Sequence, residues 1–135
     1  MNFIDRIIEI EAPAAKVWQL FVDPELTRQM GGEYVSDWQV GSPIGFKGLD
    51  GKMLTNGLIL KIEPEQLLQH KLFNSVGSTD SIITYELHEQ NERTTLHARE
   101  EFDHFVSGNE YADAVEGWNA ALLMVKELAE SKVED

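Results

Sequence analysis

A carboxylate on the apolar side of a hairpin is the first residue of chemical interest. In "SIITYELHEQNERTTLHAREEF", residues 81–102, a turn at Asn91-Glu92 sets Leu87 opposite Leu96, Tyr85 opposite Ala98 and Ile83 opposite Glu100. The period of two then puts Glu100 on one face with Leu96, Ala98 and Phe102. A buried carboxylate without a partner costs several kcal/mol. Glu100 must therefore reach solvent at the strand end, find a partner such as Arg6, His70 or Tyr85, or stand in a cavity as a polar anchor or acid/base group. His70 sits between Leu68 and Leu72 on one face of the preceding strand. It is either a hydrogen-bonded core histidine or, with Tyr85 as the alternative, the partner of Glu100 in proton transfer.

Other chemistry is poorly supplied. Glu86, His88 and His97 come close across the hairpin, but on its solvated face and without a metal-ligand signature. His104 follows "EEFD" in a loop, no serine lies in a nucleophile motif, and the glycines lack phosphate-loop or dinucleotide spacing. The chain has no cysteine, which removes disulfides, thiolate metal sites and a cysteine nucleophile together. No catalytic residue, metal or cofactor is assigned.

The elements that must position these residues are legible from periodicity. "FIDRIIEIEA" alternates as a first strand, with Ile4, Ile8 and Ile10 on one parity. In "APAAKVWQLFVDPELTRQM" the period turns helical, and Asp23-Pro24 ends one short helix and starts another. Glycines at 31, 32, 41, 45, 48 and 51 punctuate short strands. Leu58, Leu60 and Ile62 then alternate up to Pro64, and Leu68, His70 and Leu72 share a face of the next strand. Residues 108–130 carry Tyr111, Val115, Trp118, Leu122, Val125 and Ala129 as one buried stripe of a long helix. The order predicts an α+β fold, antiparallel strands crossed by a C-terminal helix. Gly117 breaks that helix at a cost of about 1 kcal/mol against alanine. On the wheel it lies beside Ala114, Ala120, Ala121 and Met124, which predicts a notch where another backbone comes close.

Composition narrows the partners. With 24 acidic and 11 basic residues, a net charge of -13 repels nucleic acid and anionic membrane surfaces. The start "MNFIDRIIEI" has acidic residues inside its apolar run, unlike a signal peptide, and no segment approaches the ~20 apolar residues of a membrane span. The expectation is one domain, residues 1–135, in a reducing cytoplasm, without integral membrane association.

Five stretches together resemble the SRPBCC superfamily, also called START-like or Bet v 1-like. They are "IEAPAAKVWQLFVDPEL", "SDWQVGSPIGFKG" with "DGK", "GLILKIEPEQLLQH", "ERTTLHAREEF" and "GWNAALLMVKEL". The branch they resemble is that of bacterial proteins similar to the C-terminal domain of the heat-shock-protein-90 ATPase activator. The resemblance implies a helix-grip fold, a curved sheet of six or seven strands around the long helix, with two short helices closing one end. It also implies a single START-like domain with a hydrophobic cavity, which in other branches holds lipids, sterols, hormones or polyketides. Many relatives have tryptophan near Met30-Gly31-Gly32, so these glycines predict a roomier or more mobile mouth. The leading expectation is a small apolar or amphipathic ligand lined by Trp38, Leu58, Leu60, His70, Tyr85, Glu100, Trp118 and Leu122. The alternative is a cyclase, dehydratase or hydrolase using Glu100 with His70 or Tyr85. A homodimer stays open. Chaperone contact, suggested by the branch name alone, ranks last.

Overall fold

A computed structural model of the protein describes residues 3–73 and 79–131; the end of the acidic tail, residues 132–135, lies outside them. Strand β1 (Phe3–Ile10) leads into helices α1 (Ala14–Val22) and α2 (Pro24–Thr27) and a 3-10 turn (Arg28–Met30). Strands β2 (Gly32–Ser36), β3 (Pro43–Gly48), β4 (Met53–Glu63), β5 (Leu67–Phe73), β6 (Thr79–Gln90) and β7 (Arg93–Phe102) follow, and helix α3 (Gly108–Glu130) closes the chain. All pairings are antiparallel, in the order β1-β7-β6-β5-β4-β3-β2. This is the helix-grip architecture, with α3 packed across the sheet.

Local chemistry explains the breaks. Asp23 ends α1, accepts the Glu25 N–H at 3.0 Å, and lets Pro24 open α2. Thr27, fully buried, donates its hydroxyl to the Leu20 carbonyl at 2.7 Å and fixes the kink between the two helices. Ser107 and Glu110 form a capping box at the start of α3. At the far end, Lys126 donates to the Glu9 carbonyl (2.9 Å) and Glu130 accepts from Glu11 N–H (2.8 Å), tying α3 to the end of β1.

The β6–β7 register is the one predicted, with Ile83 opposite Glu100, Tyr85 opposite Ala98 and Leu87 opposite Leu96. Strand β4 departs from expectation. A bulge between Ile59 and Lys61 shifts its register, so that Ile59 faces His70 and Ile62 faces Leu68. Ile59 is 1% exposed, whereas Leu58 pairs with Lys71 on the opposite face and Leu60 occupies the bulge. One extra residue inverts the parity of everything before it, so the regular alternation of Leu58, Leu60 and Ile62 is broken.

Helix α3 buries Leu122, Val125 and Ala129, with Tyr111, Val115 and Trp118 half-buried along the same stripe. Gly117 corrects the sequence reading. It is exposed, and among the described residues a Cβ built on it meets nothing within 4 Å, so no other described backbone approaches it. Gly117→Ala is therefore expected to stabilise the protein by about 0.5–1 kcal/mol, measured by denaturant unfolding. A loss of stability would reveal a contact at this position.

Candidate functional site

A cavity of ≈ 320 Å³ lies between the flank of α3 and the β2–β3 end of the sheet. Its walls are Phe21 from α1, Met30 from the 3-10 turn, Tyr34 from β2, Phe46 from β3 and Tyr85 from β6. Helix α3 contributes Trp118, Ala120, Ala121, Leu122, Met124 and Val125. The exposed Ala120, Ala121 and Met124 form its outer rim. Of the residues that predicted a notch, Ala120, Ala121 and Met124 line this cavity, whereas Ala114 and Gly117 do not.

The rings are mutually packed. Tyr85 lies 4.8 Å from Phe21 and 5.8 Å from Trp118, centroid to centroid, and Phe46 meets Tyr34 edge-on at 5.1 Å. Gly32 has a packing reason, since a Cβ there would overlap the Lys47 carbonyl oxygen and lie 2.9 Å from Phe46 Cζ. The glycine lets β2 close onto β3 and brings Tyr34 and Phe46 together. Burial raises the pKa of both cavity tyrosines above the ordinary phenol value. For Tyr85, the neighbouring Tyr34 and the Glu100 carboxylate raise it further. Both therefore present neutral hydroxyls.

Of the residues singled out from sequence, Tyr85, Trp118 and Leu122 line this cavity. Trp38 does not; it stands behind Tyr34, ring centroids 6.0 Å apart, on a backbone in the left-handed region at φ 58°. Leu58 is turned to the other face by the β4 bulge, and Leu60 is likewise absent from the lining. Glu100 and His70 are absent from the lining as well; Glu100 is bonded to it through Trp118, whose Nε1–H donates at 2.8 Å, and accepts the Ser81 hydroxyl at 2.8 Å. Its partners are therefore neither Arg6 nor His70.

His70 is 3% exposed, with its ring 6.5 Å from Tyr85 and its Nδ1 3.3 Å from the Lys71 carbonyl. Among the described residues, its Nε2 is buried without a hydrogen-bond partner. Burial depresses its pKa, which the Lys71 carbonyl partly offsets, so the ring is neutral. The unfolded chain titrates histidine near 6.5. Stability from neutral His70 is thus complete above that value and falls as the pH drops below it toward the folded value. We expect unfolding midpoints to decline between pH 7 and 5, by up to about 1.4 kcal/mol per unit, and His70→Phe to flatten this decline. An unchanged pH slope in the variant would contradict it.

His70 and Glu100 do not converge for acid–base chemistry. Both are register partners of Ile83, one on each side, so two strand spacings of roughly 4.8 Å and a buried isoleucine separate them. On the outer face, His97 is bound by Asp5 through Nε2 and lies 3.5 Å from Glu86 through Nδ1, linking β1, β7 and β6. Among the described residues, no group of three or more His, Asp or Glu side chains is placed to hold a metal ion. No helix there is long and apolar enough to cross a membrane.

The sequence reading missed Phe21, Tyr34 and Phe46 as cavity walls, and placed Met30 only at the mouth. The aromatic types were visible, but their convergence depends on β2 pairing with β3 and facing α3 across the cavity.

Comparison with known proteins bears on this geometry. The profile of the family described as "Activator of Hsp90 ATPase homolog 1-like protein" matches residues 11–130. None of the curated proteins matches the chain. Among solved structures, DynU16, a protein in the dynemicin biosynthetic locus, superimposes with a TM-score of 0.83 at 20% identity, over 98% of this chain and 48% of that one. The chain thus spans about half the length of DynU16. CalU16 from Micromonospora echinospora gives 0.76 at 21% identity, over 96% and 77%. The Aha1 dimer from Colwellia psychrerythraea gives 0.76 at 20% identity, over 96% and 97%. At these identities the likeness is one of fold.

Proposed function

Because the chain belongs to the Activator of Hsp90 ATPase homolog 1-like family, a branch of the SRPBCC superfamily, we propose that it is a single binding domain for a small apolar or amphipathic molecule. The observation that carries this reading is the lining: five aromatic side chains and two methionines, with no charged residue among them. Tyr85, Trp118 and Leu122 are the proposed contacts from the sequence reading, joined by Phe21, Met30, Tyr34 and Phe46. The volume lies at the small end of ligand sites, roughly 300–1,000 Å³. That favours compact ligands of two or three rings over long lipids, with the neutral tyrosine hydroxyls available for one polar group. A cytoplasmic location belongs to the same proposal and rests on the absence of cysteine. Self-association into a homodimer is prompted by the dimeric Colwellia relative, and light scattering across a concentration series tests it.

Fluorescence titration with N-phenyl-1-naphthylamine, a neutral aromatic probe, tests the binding reading. Saturable binding tighter than about 100 μM, worth roughly 5.5 kcal/mol, is expected. At a hundredfold excess over Kd the probe should stabilise the fold by about 2.7 kcal/mol. No saturation and no stabilisation with this probe or other neutral aromatic compounds would refute the proposal.

A further inference from the structure

We infer that Glu100 is a positioning residue, which fixes the Trp118 indole as a wall of the cavity and so sets the size of molecule admitted. The inference rests on the binding reading above. Trp118 lines the cavity, and its Nε1–H donates to Glu100 Oε1 at 2.8 Å. The other carboxylate oxygen, Oε2, accepts the hydroxyl of Ser81 at 2.8 Å. Ser81 is fully buried on β6, so the carboxylate is held from a rigid strand and cannot follow a swinging indole. With both oxygens engaged, the carboxylate plane is fixed, and charge-assisted bonds of this kind are about twice as strong as neutral ones.

The position of the bond along α3 gives it leverage. Lys126 and Glu130 bind β1 and its end near the C-terminus of the helix. Among the described residues, Trp118 to Glu100 is the one side-chain hydrogen bond from the first half of α3 to the sheet. The indole also leans on Tyr85 at 60° between ring planes. Releasing the N–H frees the ring to turn about its side-chain torsions, widening the space beside Tyr85. The inward carboxylate thereby acquires a role in selection.

Two neutral probes of different size read this out: compact N-phenyl-1-naphthylamine and bulkier Nile red. The wild type is expected to favour the compact probe. In Glu100→Leu that preference should fall about tenfold, a change of ~1.4 kcal/mol. Glu100→Gln keeps an acceptor for Trp118 and a donor for Ser81, and should hold the preference within about threefold of wild type. In a Trp118→Phe background, where the N–H is already gone, Glu100→Leu should add little. A folded Glu100→Leu with unchanged preference, or an equal loss for both probes, would overturn the inference. The latch itself is tested without ligand by the indole N–H resonances. Trp118 should move upfield in Glu100→Leu while Trp18 and Trp38 stay, and an unmoved Trp118 would refute it. If neither probe binds wild type while Trp118 moves, the binding proposal fails and the latch stands.

Discussion

Ala121→Trp is expected to weaken binding of N-phenyl-1-naphthylamine at least about a hundredfold, roughly 2.7 kcal/mol, while leaving the fold intact. Ala121 is solvent-exposed yet lines the cavity at its rim. A substitution there inserts bulk from outside without displacing buried Leu122 or Val125. The helix tolerates it, because tryptophan costs less than about 0.7 kcal/mol relative to alanine in a helix. Calorimetric titration measures the loss, with unfolding in urea as the control. Undiminished affinity in a folded variant would place the probe elsewhere.

Gly57→Ala is expected to destabilise the protein by about 3 kcal/mol or more, at the upper end of overpacking effects. Gly57 is buried in β4 opposite Leu72, and a Cβ there would overlap the Lys71 carbonyl oxygen and lie 2.9 Å from its carbon. Backbone on a paired strand cannot rotate away as a flexible side chain can, so β4 and β5 must part or the sheet must shift. A marginal fold of 5–15 kcal/mol loses much of its stability to such a change. Urea unfolding of the variant, with Gly117→Ala as the opposite case on α3, gives the comparison. Equal stability of Gly57→Ala and wild type would show that the strands are not packed this closely.

These two glycines illustrate what a sequence discloses. Gly117 interrupts a strong helical pattern and attracts attention, but the space around it is open. Gly57 sits unobtrusively in a strand, and its necessity arises from a contact with residue 71 that no local pattern carries. Hairpin 81–102 and helix 108–130 were readable because each has one uninterrupted period and a clear turn or cap. Strand β4 was misread because its bulge changes the facing of Leu58 without altering the appearance of alternation. Glu100 was recognised as an inward carboxylate, but its partners, Ser81 and Trp118, lie on another strand and a helix and are settled by tertiary packing. The same holds for the cavity: Tyr85, Trp118 and Leu122 belong to the readable elements, whereas Met30, Tyr34 and Phe46 come from the glycine-rich segment and its approach.

Methionine-methyl NMR during titration with N-phenyl-1-naphthylamine tests the central claim most directly. Met30 and Met124 line the cavity, while Met53 lies over Gly45 on strand β4 and is absent from the lining. The Met30 and Met124 resonances should shift together, saturating at one dissociation constant, with Met53 unmoved. Saturation of the probe with Met30 and Met124 unmoved, or an equal shift at Met53, would contradict binding in this cavity.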